Sequence, residues 1–383
     1  MTSITLSRVT DWIALGDRWR ELEARSDCSF FQSWTWMGCL AEERFSDPVL
    51  LEAVLDGRLV AMALFNRRRS RTGRRVLWLG ESGISTLDTV YIEYNGILTA
   101  RQAPAGLLGE CLHAARVARV DGTRPWRPRR LVLSGIDQST LAAAAESGVG
   151  LRISRTHSAP YVDLDRIHGM EGGFLAGLSA NARYQLRRSD RAYASTGDVA
   201  MQRAASVAQA QSFLDELAML HQATWTRRGR PGAFANPRFG RFHHALIERG
   251  FPRGETELLR ITAGGELVGI LYNYHFRGQM LAYQSGFDYA AAGRHQKPGL
   301  TCHHQAIQWA VAKQAIRYDF LAGADRYKRS LANAENRLYW AEIGAGWLAQ
   351  RCIDRFRGWL GPDDHGTDAT EPETATIGPP TSA

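Results

Sequence analysis

The sequence predicts an α/β (α+β) fold built from two copies of one module in tandem. Three observations carry this reading. Strand and helix signals alternate along the chain, a β-hairpin signature occurs twice, and the elements after each hairpin follow in the same order. The length of 383 residues suits two domains at roughly 100–200 residues each.

In the first module, residues 1–165, Trp12, Leu15, Trp19 and Leu22 recur at helical spacing, so 11–25 reads as an amphipathic helix. FFQSWTWM (30–37) is an aromatic stretch suited to a core. Residues 48–68 read as a hairpin, because two apolar runs meet at Asp56-Gly57, a dipeptide that favours the tight turn between antiparallel strands. VLWLG (76–80) and VYIEYNGIL (90–98) read as strands, 103–118 as a helix and 129–136 as a strand. A helix at 141–150 ends at glycine, and YVDLD (161–165) is a closing strand.

The second module, residues 166–350, opens with a basic helix at 178–195, where Arg183, Arg187 and Arg191 share one face. A helix at 206–229 carries His221 and Trp225 one turn apart. Residues 255–288 read as three strands turning at Gly264-Gly265 and near Arg277-Gly278. A helix from Pro298 to about Gln314, a strand at 316–323, a short helix at 324–332 and a strand at 337–343 complete the series. A shift of 208 residues lays Leu51 on Leu259, Gly57 on Gly265, Leu59 on Leu267 and Val60 on Val268. Residues 361–383 form an acidic tail with too little apolar content for a core, expected to be disordered.

Composition narrows the class. Apolar residues are 44% and charged residues 22%, which excludes a fibrous or wholly disordered chain. The five cysteines, at 28, 39, 111, 302 and 352, are scattered and contain no C-x-x-C pair, so neither a disulfide framework nor a zinc site is expected. The adjacent pairs His243-His244 and His303-His304 point in different directions on a helix and make poor chelates, so no metal is expected. No signal peptide and no apolar run of membrane-spanning length is visible, which predicts a soluble cytoplasmic protein. The net charge is +8, and the tail holds five acids and no Lys or Arg, so the body is more basic still. A basic body favours an anionic ligand: a nucleotide cofactor, a phosphorylated substrate or RNA.

The loop AAAGRHQKPGL (290–300) opens a helix. Helix N-termini present free N–H groups and the positive end of the dipole, and Pro298 and Gly299 fix the first turn and allow close approach. Arg294 and Lys297 add positive charge, so Arg294 to Leu300 is a candidate phosphate-binding loop. Neither a G-x-x-x-x-G-K-[ST] loop nor a G-x-G-x-x-G after a strand occurs. Cys302 near this turn is a candidate thiol or a buried structural cysteine.

The second half resembles the GNAT acyltransferase core. More closely, SANARYQLRRSDR (179–191), His221 and Trp225 in H-x-x-x-W, RRGRPGAF (227–234), QKPGL (296–300) and YDFLAGADRYKRSLA (318–332) resemble the CelD-type acetyltransferases, and more distantly the Fem-type aminoacyltransferases. The resemblance spans roughly residues 30–345. It implies tandem GNAT-like modules, each a mixed, mostly antiparallel twisted sheet flanked by helices, with acyl-CoA held between two splayed strands. The GNAT loop R/Q-x-x-G-x-G/A is met loosely by Arg294 to Leu300.

The same resemblance implies that Gln284, Ser285 and Gly286 offer backbone groups to pantetheine and that Tyr327 protonates the departing thiolate. Lys328 would hold a CoA phosphate or a substrate carboxylate. Asp319, an acid in an apolar strand, is a candidate base or the ion-pair partner of Lys328 or Arg326, with Asp288 and Tyr289 as rivals. Arg183, Arg187, His221 and Trp225 are candidates to bind the acceptor, or, for the arginines, tRNA. The expected activity is transfer of an acyl group, most simply acetyl, from acyl-CoA to an amine of a small sugar or amino-acid-type acceptor by direct attack. The alternatives are a Fem-like aminoacyl-tRNA-dependent transferase and a non-catalytic scaffold.

Overall fold

In the computed structural model the hairpin signatures form tight turns in both halves. At Asp56-Gly57 both residues take positive φ (49° and 78°), as do Gly264-Gly265 (59° and 87°). That geometry matches the twist of the flanking strands. The structure describes residues 2–70, 73–117, 128–147, 150–323 and 325–344. The acidic tail, Cys352 and the last residues assigned to the second module lie outside the described residues.

The first half runs β1 (Thr2–Arg8), α1 (Trp12–Ala24), α2 (Trp34–Arg44), β2 (Pro48–Leu55), β3 (Arg58–Arg69), β4 (Arg75–Leu79), β5 (Leu98–Thr99), α3 (Leu107–Val117), β6 (Arg130–Ile136), α4 (Gln138–Glu146) and β7 (Leu151–Asp163). The short α5 (Gly173–Ala176) and the basic α6 (Ala180–Ala194) follow. The second half continues with β8 (Val199–Arg203), α7 (Val207–Arg227), α8 (Pro237–Gly250), β9 (Thr256–Ala263), β10 (Glu266–Phe276), β11 (Gln279–Phe287), α9 (Pro298–Ala312), β12 (Arg317–Asp319), α10 (Arg326–Leu331) and β13 (Ala334–Gly344). None of the described helices is long and apolar enough to cross a membrane.

All strands among the described residues belong to one twisted sheet, ordered β1-β2-β3-β4-β6-β13-β7-β12-β11-β10-β9-β8, with β5 beside β3. Pairing is antiparallel except at β4/β6 and β11/β12. The order is symmetric about the β13/β7 pair. Each half contributes five strands in matching succession, and each accepts the other's last strand, β13 beside β6 and β7 beside β12. The fold is therefore the tandem, mostly antiparallel arrangement expected. The second round of this order starts at the edge strand β8, after the basic helix.

The stretch 90–98 departs from expectation. Only Leu98–Thr99 forms a strand of the sheet; Asn95 makes a single bridge to Ile136, and the rest of 81–97 is a long loop. The Asn95 side chain donates to the carbonyls of Leu79 (2.9 Å) and Ser134 (3.0 Å), so a side chain satisfies groups that a strand would otherwise pair.

Each half has its own core, on β1–β6 with α3 and on β12 with α6 and α9. A third core belongs to both. Trp19, Phe30 and Trp36 from the first half pack with Leu217, Phe242 and Tyr274 from the second, and the Phe30 and Tyr274 rings stack at 4.2 Å. Burial of several aromatic side chains from each side makes the junction a packed interior.

Candidate active site

The β11/β12 pair provides the first element of the site. These parallel strands pair only over Gln279–Leu281 with Arg317–Asp319. β11 then runs on to Phe287, while β12 ends and Leu321, at φ 60°, turns the chain away. The strands form a wedge, and Ala282–Ser285 are half-exposed there, whereas the neighbouring β10 is buried from Val268 to Tyr274. Gln284 and Ser285, two of the expected pantetheine contacts, line it. Gly286 instead faces α7, because a Cβ there would lie 2.5 Å from the Leu217 carbonyl oxygen.

His221 holds α7 to this strand. One ring nitrogen, Nδ1, lies 3.4 Å from the Ser285 carbonyl and Nε2 accepts from the Ala233 amide at 3.3 Å. Burial pushes its pKa down to about 4, so the ring is neutral. Both nitrogens are engaged by backbone, and the acceptor-binding role expected for His221 is not open to it in this arrangement. Trp225 is half-buried beside His221, with the Arg228 guanidinium over its ring.

The loop before α9 is closed on one side by α6. Ser189 accepts from the Lys297 amide at 2.8 Å and bonds Thr301, whose hydroxyl donates to Asp190. Asp190 also takes His304 at 2.7 Å. The expected row of free amides is thus narrowed: Ser189 caps one, proline has none, and the Gly299 amide is left without a partner among the described residues. Gly299 lies against the Phe287 ring, and Pro298 is buried. Arg294 and Lys297 are exposed, Leu300 is half-buried, and Arg188 reaches His295 at 2.7 Å. Arg183 and Arg187 line an open groove of about 510 Å³ with Arg191 on the outer face of α6.

The module junction supplies the titratable groups. Asp319 is fully buried. One oxygen accepts from the Tyr94 hydroxyl at 2.7 Å and the other from the Leu321 amide at 2.7 Å, while the Arg317 guanidinium lies 4.0 Å away. Burial raises its pKa to about 6 against those bonds. Both oxygens are used to hold the turn after β12 and to anchor Tyr94, whose hydroxyl also accepts from Asn336. Of the two readings of Asp319, base or ion-pair partner of Lys328 or Arg326, the structure gives neither ion pair: its partners are Tyr94, a backbone amide and Arg317.

Ala322 is gripped from both sides. Its amide donates to Glu93 at 2.5 Å, and its carbonyl accepts from the Lys328 ammonium at 3.0 Å. Asp325 lies 3.9 Å from the same ammonium. Burial lowers the pKa of Lys328 and raises that of Glu93 to about 7. Tyr327, on α10, is half-buried and stacks on His303 at 5.3 Å. His303 bonds the Tyr318 hydroxyl at 2.8 Å, and burial pushes its pKa down to about 3.

The rival candidates have local roles. Asp288 caps the amides of Ala290 and Ala291, and Tyr289 is exposed. Cys302 is fully buried with its thiol pKa pushed up by burial, so the start of α9 does not activate it. His243 is enclosed by Phe239, Phe242 and Tyr272, and His244 pairs with Asp215. Among the described residues no cluster of three or more His, Cys, Asp or Glu is suited to a metal ion. Sequence reading missed Glu93 and Tyr94. The signal was an acid inside the apolar run 90–98, the same signal that singled out Asp319.

Residues 180–329, from α6 to α10, match the family model described as the acetyltransferase (GNAT) domain. This stretch is a GNAT acetyltransferase domain. The protein is accordingly an acyltransferase. Solved structures of similar fold include FemX (9% identity, 92% of this chain and 99% of that one, TM-score 0.60). A conserved protein of unknown function from Bacteroides thetaiotaomicron is also similar (11%, 89% and 100%, 0.54). So is L-PGS from Bacillus licheniformis (12%, 89% and 96%, 0.50). At these identities they show a shared fold. No curated protein matches the chain. The wedge, the loop before α9 and Tyr327 all lie inside the GNAT domain, whereas Glu93 and Tyr94 reach it from the other half.

Proposed function

We propose that the protein is an acyl-CoA-dependent N-acyltransferase of the CelD type, transferring an acetyl or similar group to an amine of a small sugar or amino-acid-type acceptor in the cytoplasm. Residues 1–165 and 166–350 would be its two modules, the second holding acyl-CoA. The observation that carries the reading is the wedge: β11 extends past its partner with Ala282–Ser285 half-exposed beside the loop of Arg294 and Lys297. An extended pantetheine arm suits such a strand, since its amides can pair with backbone groups along the strand edge, although those of Ser285 are taken by the Gln284 side chain and His221. A diphosphate suits the Gly299 amide and the two cations.

Tyr327 would give its proton to the departing sulfur. Direct attack fits the thiols: Cys28, Cys39, Cys111 and Cys302 are all buried, and burial raises the first three to about 12. A thiol so poorly ionised is a weak nucleophile. Lys328 is tied to Ala322 and Asp325, which favours a part in shaping the 322–328 turn over contact with a CoA phosphate.

A second reading, aminoacyl transfer from tRNA, is supported by the arginine row of α6 beside the same loop. Calorimetry with CoA and with charged tRNA separates them. CoA should bind at micromolar concentration and tRNA should not be retained at 0.15 M salt, roughly physiological ionic strength. Retention of charged tRNA with no CoA heat at millimolar concentration would overturn the proposal in favour of the tRNA reading. Silence toward both would leave a scaffold.

A further inference from the structure

The loop 91–94 spans the open end of the wedge. The Tyr91 carbonyl accepts from Tyr283 of β11 at 3.5 Å, Tyr94 bonds Asp319 at the end of β12, and between them Glu93 bonds Ala322 just beyond that strand. The first half of the chain thus places a carboxylate where the two strands of the GNAT domain part. One Glu93 oxygen is fixed by the Ala322 amide, and the other has no hydrogen-bond partner among the described residues. Asp319, by contrast, has both oxygens engaged.

We propose that Glu93 is the catalytic residue that takes the proton of the acceptor amine. The proposal rests on the acyl-CoA reading and adds that the active site is completed by the N-terminal half. As the amine nitrogen bonds to the acyl carbon, the carbon–sulfur bond breaks. One N–H proton passes to Glu93, and the sulfur leaves as a thiol with the Tyr327 proton. Transfer of the Glu93 proton through water then restores Tyr327. Amine and thioester become amide and thiol, and no other reactant is needed.

The surroundings suit a base that works near neutrality. Glu93 faces the Lys328 ammonium, the Asp319 carboxyl and the hydroxyls of Tyr91, Tyr94 and Tyr283. Burial raises it most, Asp319 raises it further, and the Ala322 amide and Lys328 oppose the rise, for a value of about 7. A base titrating near the working pH is the favourable case for proton transfer.

The test is Glu93→Gln, which keeps an oxygen for the Ala322 amide. Thiol release from acetyl-CoA is followed from pH 5 to 9 with a pool of glucosamine, lysine and putrescine, and CoA binding is measured in parallel. Corrected for the fraction of each amine that is neutral, wild-type kcat/KM should fall with unit slope below about pH 7. In Glu93→Gln the rate at pH 7 should drop by about a hundredfold or more, with that acidic limb gone and the Kd for CoA unchanged. Tyr327→Phe should slow turnover but keep the acidic limb, which separates loss of the base from general damage to the site.

A Glu93→Gln enzyme with the wild-type rate and limb overturns the assignment while leaving the acyl-CoA reading intact. A wild type that neither binds CoA nor releases thiol overturns that reading and this role together. Should Glu93→Gln not fold, infrared titration of wild type labelled with 13C-glutamate replaces it. Glu81, raised to about 8, contributes a band of its own; a second protonated carboxyl band fading near pH 7 supports the proposal, and the absence of that second band overturns it.

Discussion

Gly286→Val is expected to destabilise the protein by about 3 kcal/mol, the upper part of the range for overpacking a core. A Cβ at this position would sit 2.5 Å from the Leu217 carbonyl oxygen, 3.0 Å from Leu220 Cβ and 3.1 Å from Leu217 Cα. Two of these three atoms are backbone of α7 and cannot swing aside as a flexible side chain would. Strand and helix must separate, which also breaks the His221 contact with Ser285. Against a total stability of about 5–15 kcal/mol this is a large fraction. Urea unfolding measures it, with Gly240→Ala as comparison. Gly240 lies in α8, and nothing comes within 4 Å of a Cβ there, so that change should be neutral or stabilising by up to about 1 kcal/mol. A Gly286→Val protein as stable as wild type would mean that α7 does not lie on β11 as described.

Stability should also carry the signature of the buried acids, among which burial raises Glu81 to about 8 and Glu93 to about 7. For Glu93 the folded pKa of about 7 lies above its ordinary value of 4.5, so the folded state binds this proton more tightly than the unfolded chain. The sign follows. The contribution is fully present below about pH 4.5 and is lost as pH rises through about 7. At about 1.4 kcal/mol per pH unit, the loss between pH 5 and 8 amounts to about 3 kcal/mol at most. Asp319, raised to about 6, acts in the same direction. His221 and His303, lowered to about 4 and 3, act oppositely, because their contribution is present above about pH 6.5 and lost on acidification.

The comparison that isolates Glu93 is therefore the difference between wild type and Glu93→Gln in urea unfolding at pH 5 and pH 8. Relative to wild type, the variant should gain stability at the higher pH. An equal pH dependence in both proteins would contradict the burial assigned to Glu93. A buried acid that costs stability at working pH is the usual compromise of an active site.

Much of the scaffold was legible because local chemistry specified it. The Asp-Gly and Gly-Gly turns fixed two hairpins, and the 208-residue shift lays β2 (48–55) on β9 (256–263) residue for residue. The edge strands β1 and β8, TSITLSR and VAMQR, escaped notice because each is short and largely exposed on one side. The exchange of β7 and β13 between halves was not legible, since the strands that flank each of them are distant in sequence.

The candidate site divides in the same way. The loop before α9 and Asp319 stand out by local signals, whereas Tyr327 on α10 is implied by the resemblance alone. What periodicity could not show was that Ser189 closes the Lys297 amide from 108 residues away, or that Glu93 reaches Ala322 from 229 residues away. The run VYIEYNGIL has strand composition, yet its polar groups are satisfied by Asn95 and by contacts with the other half. Nonlocal partners overrode local propensity there.

Hydrogen exchange with and without CoA tests the wedge most directly. The account predicts that saturating CoA slows amide exchange across residues 282–287 and 298–301 by tenfold or more, while the distant hairpin of β2 and β3 is unchanged. Equal exchange in both segments, under conditions where acetyl-CoA is turned over, would contradict it, because the thioester carrier would then be held somewhere else.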